Sequence, residues 1–177
     1  MTRNFLFALI SVLCLAGCSE PRPAASDRSF LPSKNYHYTD IAFDSLARQS
    51  LVYVPVYSEI YHISGERRFL LTATVSARNT SLKDTLYIRT ADYYDSQGAL
   101  QRRYLEKPIV LNPLQSVEFV VENDEKHGGA GANFIIEWGS GPVALRPVFQ
   151  AVMIGTASQQ GLSFTTEGVE IETRQKQ

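Results

Sequence analysis

The chain has 177 residues, 44% hydrophobic and 20% charged, a composition that suits one folded domain and excludes a largely disordered protein. A formal net charge of -1 offers no electrostatic footprint for the phosphates of nucleic acid. Both cysteines, Cys14 and Cys18, fall in the first eighteen residues, so no disulfide can staple the body.

At the start, Arg3 supplies a positive charge and Phe5 to Leu15 form an apolar run interrupted only by Ser11. The run is about half the ~20 residues that a permanent membrane helix needs, so it reads as a signal peptide over residues 1–17. Next comes Leu15-Ala16-Gly17-Cys18, which resembles the bacterial lipobox. Small residues precede the cut between Gly17 and Cys18, and the Cys18 thiol is the expected acceptor of a lipid. Several acyl chains, each contributing roughly 0.8 kcal/mol per buried CH₂, make a lasting anchor, so the membrane is an expected partner. Ser19, in place of the Asp that retains such chains in the inner membrane, favours the outer membrane of a two-membraned cell. Residues 18–48 are expected to form a flexible tether, because Pro21, Pro23, Ala24, Ala25, Ser26 and Pro32 show no apolar period.

The body, expected over residues 49–168, reads as strands. From Arg68 to Arg78, Phe69, Leu71, Ala73, Val75 and Ala77 alternate with polar residues, the signature of a half-buried antiparallel strand. Similar runs follow at Thr85 to Tyr94, Ser116 to Val121, Asn133 to Trp138 and Val148 to Ile154. Leu51 to Tyr57 contains Pro55, which cannot donate to a ladder, and is placed at a sheet edge. Turns are expected at Gly65-Glu66, at Asn112-Pro113-Leu114-Gln115, and at Asp95-Ser96-Gln97-Gly98 with Gly98 at positive φ. These signals predict an all-β fold: an antiparallel β-sandwich of immunoglobulin-like type with seven to eight strands, Phe134, Ile136 and Trp138 in its core, and a disordered tail over residues 169–177.

His127-Gly128-Gly129-Ala130-Gly131-Ala132-Asn133 is the segment that most invites a functional reading. A His-Gly-Gly run can build an esterase oxyanion hole, but that chemistry needs a Gly-x-Ser-x-Gly elbow, and none is present. Trp138-Gly139-Ser140-Gly141 has the wrong spacing and reads as a turn. The loop is therefore either tightly packed or a ligand contact made by His127, Gly128, Gly129, Gly131 and Asn133. Asp92 and Asp95, three apart on a strand, point to opposite faces, and Asp95 is suited to capping a turn. The histidines His37, His62 and His127 lack partners at metal-ligand spacing, so no metal, cofactor or catalytic residue is expected. Arg67, Arg68, Arg102 and Arg103 read as solvated strand edges, and the many tyrosines, among them Tyr53, Tyr57, Tyr61, Tyr87, Tyr93, Tyr94 and Tyr104, as packing pairs or a contact surface.

Four blocks taken together carry a resemblance: Val52-Tyr53-Val54-Pro55-Val56-Tyr57-Ser58, Asp92-Tyr93-Tyr94-Asp95, Gly128 to Phe134, and Ala151-Val152-Met153-Ile154-Gly155-Thr156-Ala157. They are similar to a family of bacterial envelope proteins catalogued as domain of unknown function 3124, over about Leu51 to Phe164. The resemblance implies an exported product and no particular activity; it directs attention to the glycine-rich loop and to Met153 to Ser158. The leading expectation is a non-enzymatic envelope lipoprotein that binds a protein, polymer or small ligand. The alternatives are a hydrolase or carbohydrate-active enzyme using His127, Asp92 or Glu137, and a subunit joined by strand addition at Leu51 to Tyr57.

Overall fold

In a computed structural model, residues 36–123, 128–142, 145–157 and 160–176 are described. The expected signal peptide, the expected cleavage and lipidation site at Gly17-Cys18, residues 19–35 of the expected tether, and His127 lie outside them. The alternation read from the sequence becomes strands β1 (Arg48–Pro55), β4 (Thr72–Arg78), β5 (Leu86–Tyr94), β8 (Ser116–Val121), β9 (Asn133–Ser140) and β10 (Val148–Ala157). Between and beyond them run β2 (Glu59–His62), β3 (Ser64–Leu70), β6 (Leu100–Arg103), β7 (Ile109–Leu111), β11 (Gln160–Glu167) and β12 (Val169–Gln175). Twelve strands among the described residues thus replace the seven or eight expected.

The strands form two sheets and a separate hairpin. One sheet has six strands in the order β12-β1-β9-β5, with β6 and β7 both paired to β5; the other has four in the order β11-β10-β4-β8; β2 and β3 pair only with each other. Every pairing is antiparallel, as the fold reading expected. Alternation places Ala73, Val75 and Ala77 of the second sheet and Phe134, Ile136 and Trp138 of the first in the core, all at 0% exposure, as is Leu71, which lies between β3 and β4 where the single strand expected from Arg68 to Arg78 divides. Aromatic rings span the two layers: Phe119 lies 6.3 Å from Phe134, and Tyr104 lies 5.5 and 5.3 Å from those two rings.

Several further expectations need correction. The segment containing Pro55 is not an edge, because β1 lies between β12 and β9. Pro55 is its last residue, and the register with β12 ends two residues earlier, at Tyr53, so the missing N–H costs no ladder bond on that side. Of the disordered tail expected over residues 169–177, Val169 to Gln175 instead form β12 along β1. Its side chains are all exposed, so the strand is held by backbone pairing and leaves no apolar alternation to read. Finally, Trp138-Gly139-Ser140 continues β9 instead of turning.

Strands β11 and β12 follow one another on the same side of the sandwich, leaving the second sheet at Gly168 and joining the first. The Gly168 N–H donates to Phe149 O at 2.8 Å, and a Cβ there would lie 2.7 Å from Val52 and 2.9 Å from Phe149. Only glycine allows the chain to pass between the sheets so closely.

Residues 36–47, assigned to the tether by composition, pack on the domain. Tyr38 bridges Ile109 of β7, and the chain then crosses the outer face of the six-stranded sheet through a 3-10 turn, Phe43–Ser45. Phe43 and Leu46 are buried against Gly139. Arg89, in a β-bulge of β5, stacks 4.8 Å over Phe43, binds Asp44 at 2.8 Å and grips Glu137 with two bonds of 2.5 Å. The bulge re-aims Arg89 so that one guanidinium ties this strap to β9.

Candidate binding cleft

Three segments meet where β9 begins and where β1 and β5 end. They are the β2–β3 hairpin, the β5–β6 turn, and Gly128 to Gly131. Asp95 shapes the turn as expected: its carboxylate accepts the N–H groups of Gln97 and Ala99 at 2.9 and 2.8 Å, and Gly98 has φ +80. This places Ser96 and Gln97 at the surface.

Two serines hold the glycine-rich loop. The Gly129 N–H donates to Ser58 Oγ at 2.8 Å and the Gly131 N–H to Ser96 Oγ at 2.9 Å; Ser96 in return donates its N–H and hydroxyl to Gly128 O at 2.9 and 3.0 Å. A Cβ at Gly128 would lie 1.8 Å from the Tyr93 hydroxyl, and Gly129 has φ +86, which side chains rarely adopt. Packing and backbone geometry therefore account for Gly128 and Gly129. They do not account for Gly131, where a Cβ would meet nothing nearer than Ser96 at 3.4 Å.

The hairpin supplies the opposite wall. Tyr61 and Arg68 are cross-strand partners, and the Arg68 guanidinium lies 3.9 Å over the Tyr61 ring while binding Glu59 at 2.8 Å. At its base, Phe69 rests over Gly155, inside the Met153 to Ser158 segment that the family resemblance pointed to. At its tip, Ile63 has φ 66 and is 80% exposed, so the turn lies at Ile63 and not at the expected Gly65-Glu66, which belongs to β3. Between hairpin, turn and loop is a cleft of about 370 Å³ lined by Glu59, Tyr61, Arg68, Ser96, Gln97 and Gly128 to Gly131. That size falls in the range of small-ligand sites.

Of the residues named from sequence, Gly128, Gly129 and Gly131 line the cleft, whereas Asn133 pairs with Pro55 and Tyr94 in the sheet. Asp92 and Glu137 do not converge there. They project from the outer face of the six-stranded sheet, where Arg89 holds Glu137 and Arg103 stands 3.9 Å from Asp92. Burial raises the Asp92 pKa above the ordinary 3.8, with Arg103 opposing the shift. Among the described residues no group of three His, Cys, Asp or Glu side chains could hold a metal ion.

Sequence reasoning missed Glu59, Ser58, Ser96 and Gln97 as site residues. The available signal was the spacing of Glu59 and Tyr61 two apart, with Arg68 seven further on, which a tight hairpin brings to one face.

A family model described as "Protein of unknown function (DUF3124)" matches residues 49–171. No curated protein matches the chain. Among solved structures, the crystal structure of Thermotoga maritima 1070 is similar over 71% of this chain and 95% of that one, with 13% identity and a TM-score of 0.40.

Proposed function

The chain belongs to the DUF3124 family, whose description assigns no activity, and from that premise we propose that it is a lipid-anchored, non-enzymatic binding module of the cell envelope. Cys18 carries the lipid, the Pro- and Ala-rich stretch after it serves as tether, and the sandwich presents a ligand site between the β2–β3 hairpin and the glycine-rich loop. The observation that carries the binding reading is the cleft itself. Its walls come from three separate chain segments, and its glycine wall is pre-organised by six hydrogen bonds from and to Ser58 and Ser96. Support for the anchor is the charged, apolar and small-residue order of residues 3–18. Among the described residues the carboxylate of the cleft, Glu59, is paired with Arg68, and Asp92 and Glu137 stand elsewhere, which supports a binding role.

The test places a photo-crosslinking amino acid at Gln97 of the full-length chain in its native cells, with Cys18→Ala in parallel. Adducts from Gln97, absent from a control at Tyr87 on the outer sheet face, are expected. The Cys18→Ala chain should leave the membrane fraction. Adducts at Tyr87 alone would refute the cleft, and unchanged membrane partition of Cys18→Ala would refute the anchor.

A further inference from the structure

On the reading that the cleft binds a ligand, we propose that this ligand is a neutral, hydroxyl-rich saccharide. The first ground is charge. Within the described lining the one cation, Arg68, and the one anion, Glu59, are joined at 2.8 Å, so the hairpin wall offers no net charge to an ionic partner. An acidic ligand entering beside Arg68 meets the Glu59 carboxylate, and a basic one entering beside Glu59 meets the guanidinium. A ligand without charge leaves the pair intact.

The second ground is the aromatic plate. Tyr61 is 57% exposed, and the guanidinium 3.9 Å from its ring centroid backs one face. A ring braced by a guanidinium and more than half exposed suits the flat, C–H-bearing face of a sugar, which stacks on the negative face of an aromatic system. An apolar peptide is poorly served, because only the Tyr61 ring and the Ala130 methyl among nine lining residues offer much carbon surface.

The third ground is the opposite rim. The exposed Gln97 amide offers both donors and an acceptor, the combination that a hydroxyl, itself donor and acceptor, satisfies. Gly131 lets the ligand approach the backbone. Its missing side chain is demanded neither by φ nor by packing, and the nearest neighbour to a Cβ there is Ser96 at 3.4 Å. The Ser96 hydroxyl is committed to Gly128 and Gly131, so it fixes the rim and leaves Gln97 as the adaptable group.

The experiment uses the purified full-length chain in detergent micelles on an array of immobilised neutral oligosaccharides, including chitohexaose, cellohexaose and maltohexaose, and acidic ones, including oligogalacturonate. Binding to at least one neutral member is expected, weakened about tenfold or more by Tyr61→Ala and by Gln97→Ala while thermal melting stays unchanged. Binding to acidic members only, to none, or to a neutral member with Tyr61→Ala unaffected would overturn the proposal. Gln97 adducts in cells without saccharide binding would leave the cleft as a site and remove only the ligand class; absence of both would remove the two together.

Discussion

Where β4 ends and β8 begins, the connections are stitched by one buried amide; at the opposite end, where β9 begins, they are held by two hydroxyls around a cleft. Asn79 is 3% exposed, and its Nδ2 reaches the carbonyls of Asp84, Leu111 and Asn112 at 2.8 to 3.0 Å while its Oδ1 accepts from Ser81. A single side chain thus ties the β4–β5 connection to the β7–β8 connection and closes both over the core. Ser58 and Ser96 instead bind a loop in which Gly129 to Gly131 remain partly or wholly exposed, leaving the cleft beside it. A buried polar network closes the first end, whereas the polar contacts of the second hold backbone in reach of solvent.

The comparison predicts a separation of stability from binding. Asn79→Ala strands the buried Leu111 carbonyl and two half-buried ones, and should lower folding stability by about 2–4 kcal/mol in urea unfolding, with Gln97 crosslinking intact in the folded fraction. A smaller effect is expected at Gly128, where a new methyl must displace the Tyr93 hydroxyl or Ser58: Gly128→Ala should cost about 1–3 kcal/mol and weaken the cleft as well. Gly131→Ala is the contrast, changing stability by no more than about 0.5 kcal/mol while weakening ligand binding. Equal loss of stability in the two glycine variants would show that the loop's glycines serve packing alone.

The smallest effect lies away from both ends. Burial holds the Asp92 pKa above its unfolded value of 3.8, so its favourable contribution is full below that pH and is lost as pH rises through the folded pKa. Asp92→Asn should match the wild-type chain in acid and be slightly more stable at neutral pH, as read by paired urea melts. A less stable Asn variant at neutral pH would mean that the Arg103 contact outweighs the burial.

Much of the sandwich was legible because one face of a strand is wet and the other dry. Thr72 to Arg78 displays that contrast, with Ala73, Val75 and Ala77 at 0% exposure, and Ser116 to Val121 emerged with the bounds expected from its alternation. The hairpin β2–β3 and strand β12 display none. Their side chains are mostly or wholly exposed, and their partners alone define them. The same absence of contrast hid the cleft, since Glu59, Tyr61 and Arg68 sit on the hairpin, and Ser96 joins Gly128 only through a contact 32 residues apart.

Sequence by itself determined the all-β class, the core residues of the central strands, the Asp95 turn with Gly98 at positive φ, and the family. Each follows from local chemistry: side-chain period, a carboxylate near backbone N–H groups, a residue without a Cβ. Tertiary structure decided that β1 is interior, that the last residues form β12, that residues 36–47 strap the outer sheet face, and that a polar hairpin faces the glycine-rich loop. Those outcomes depend on backbone pairing between distant segments, and a hydrogen-bond ladder uses the same N–H and C=O groups in nearly every residue, so composition carries no record of which strands will meet.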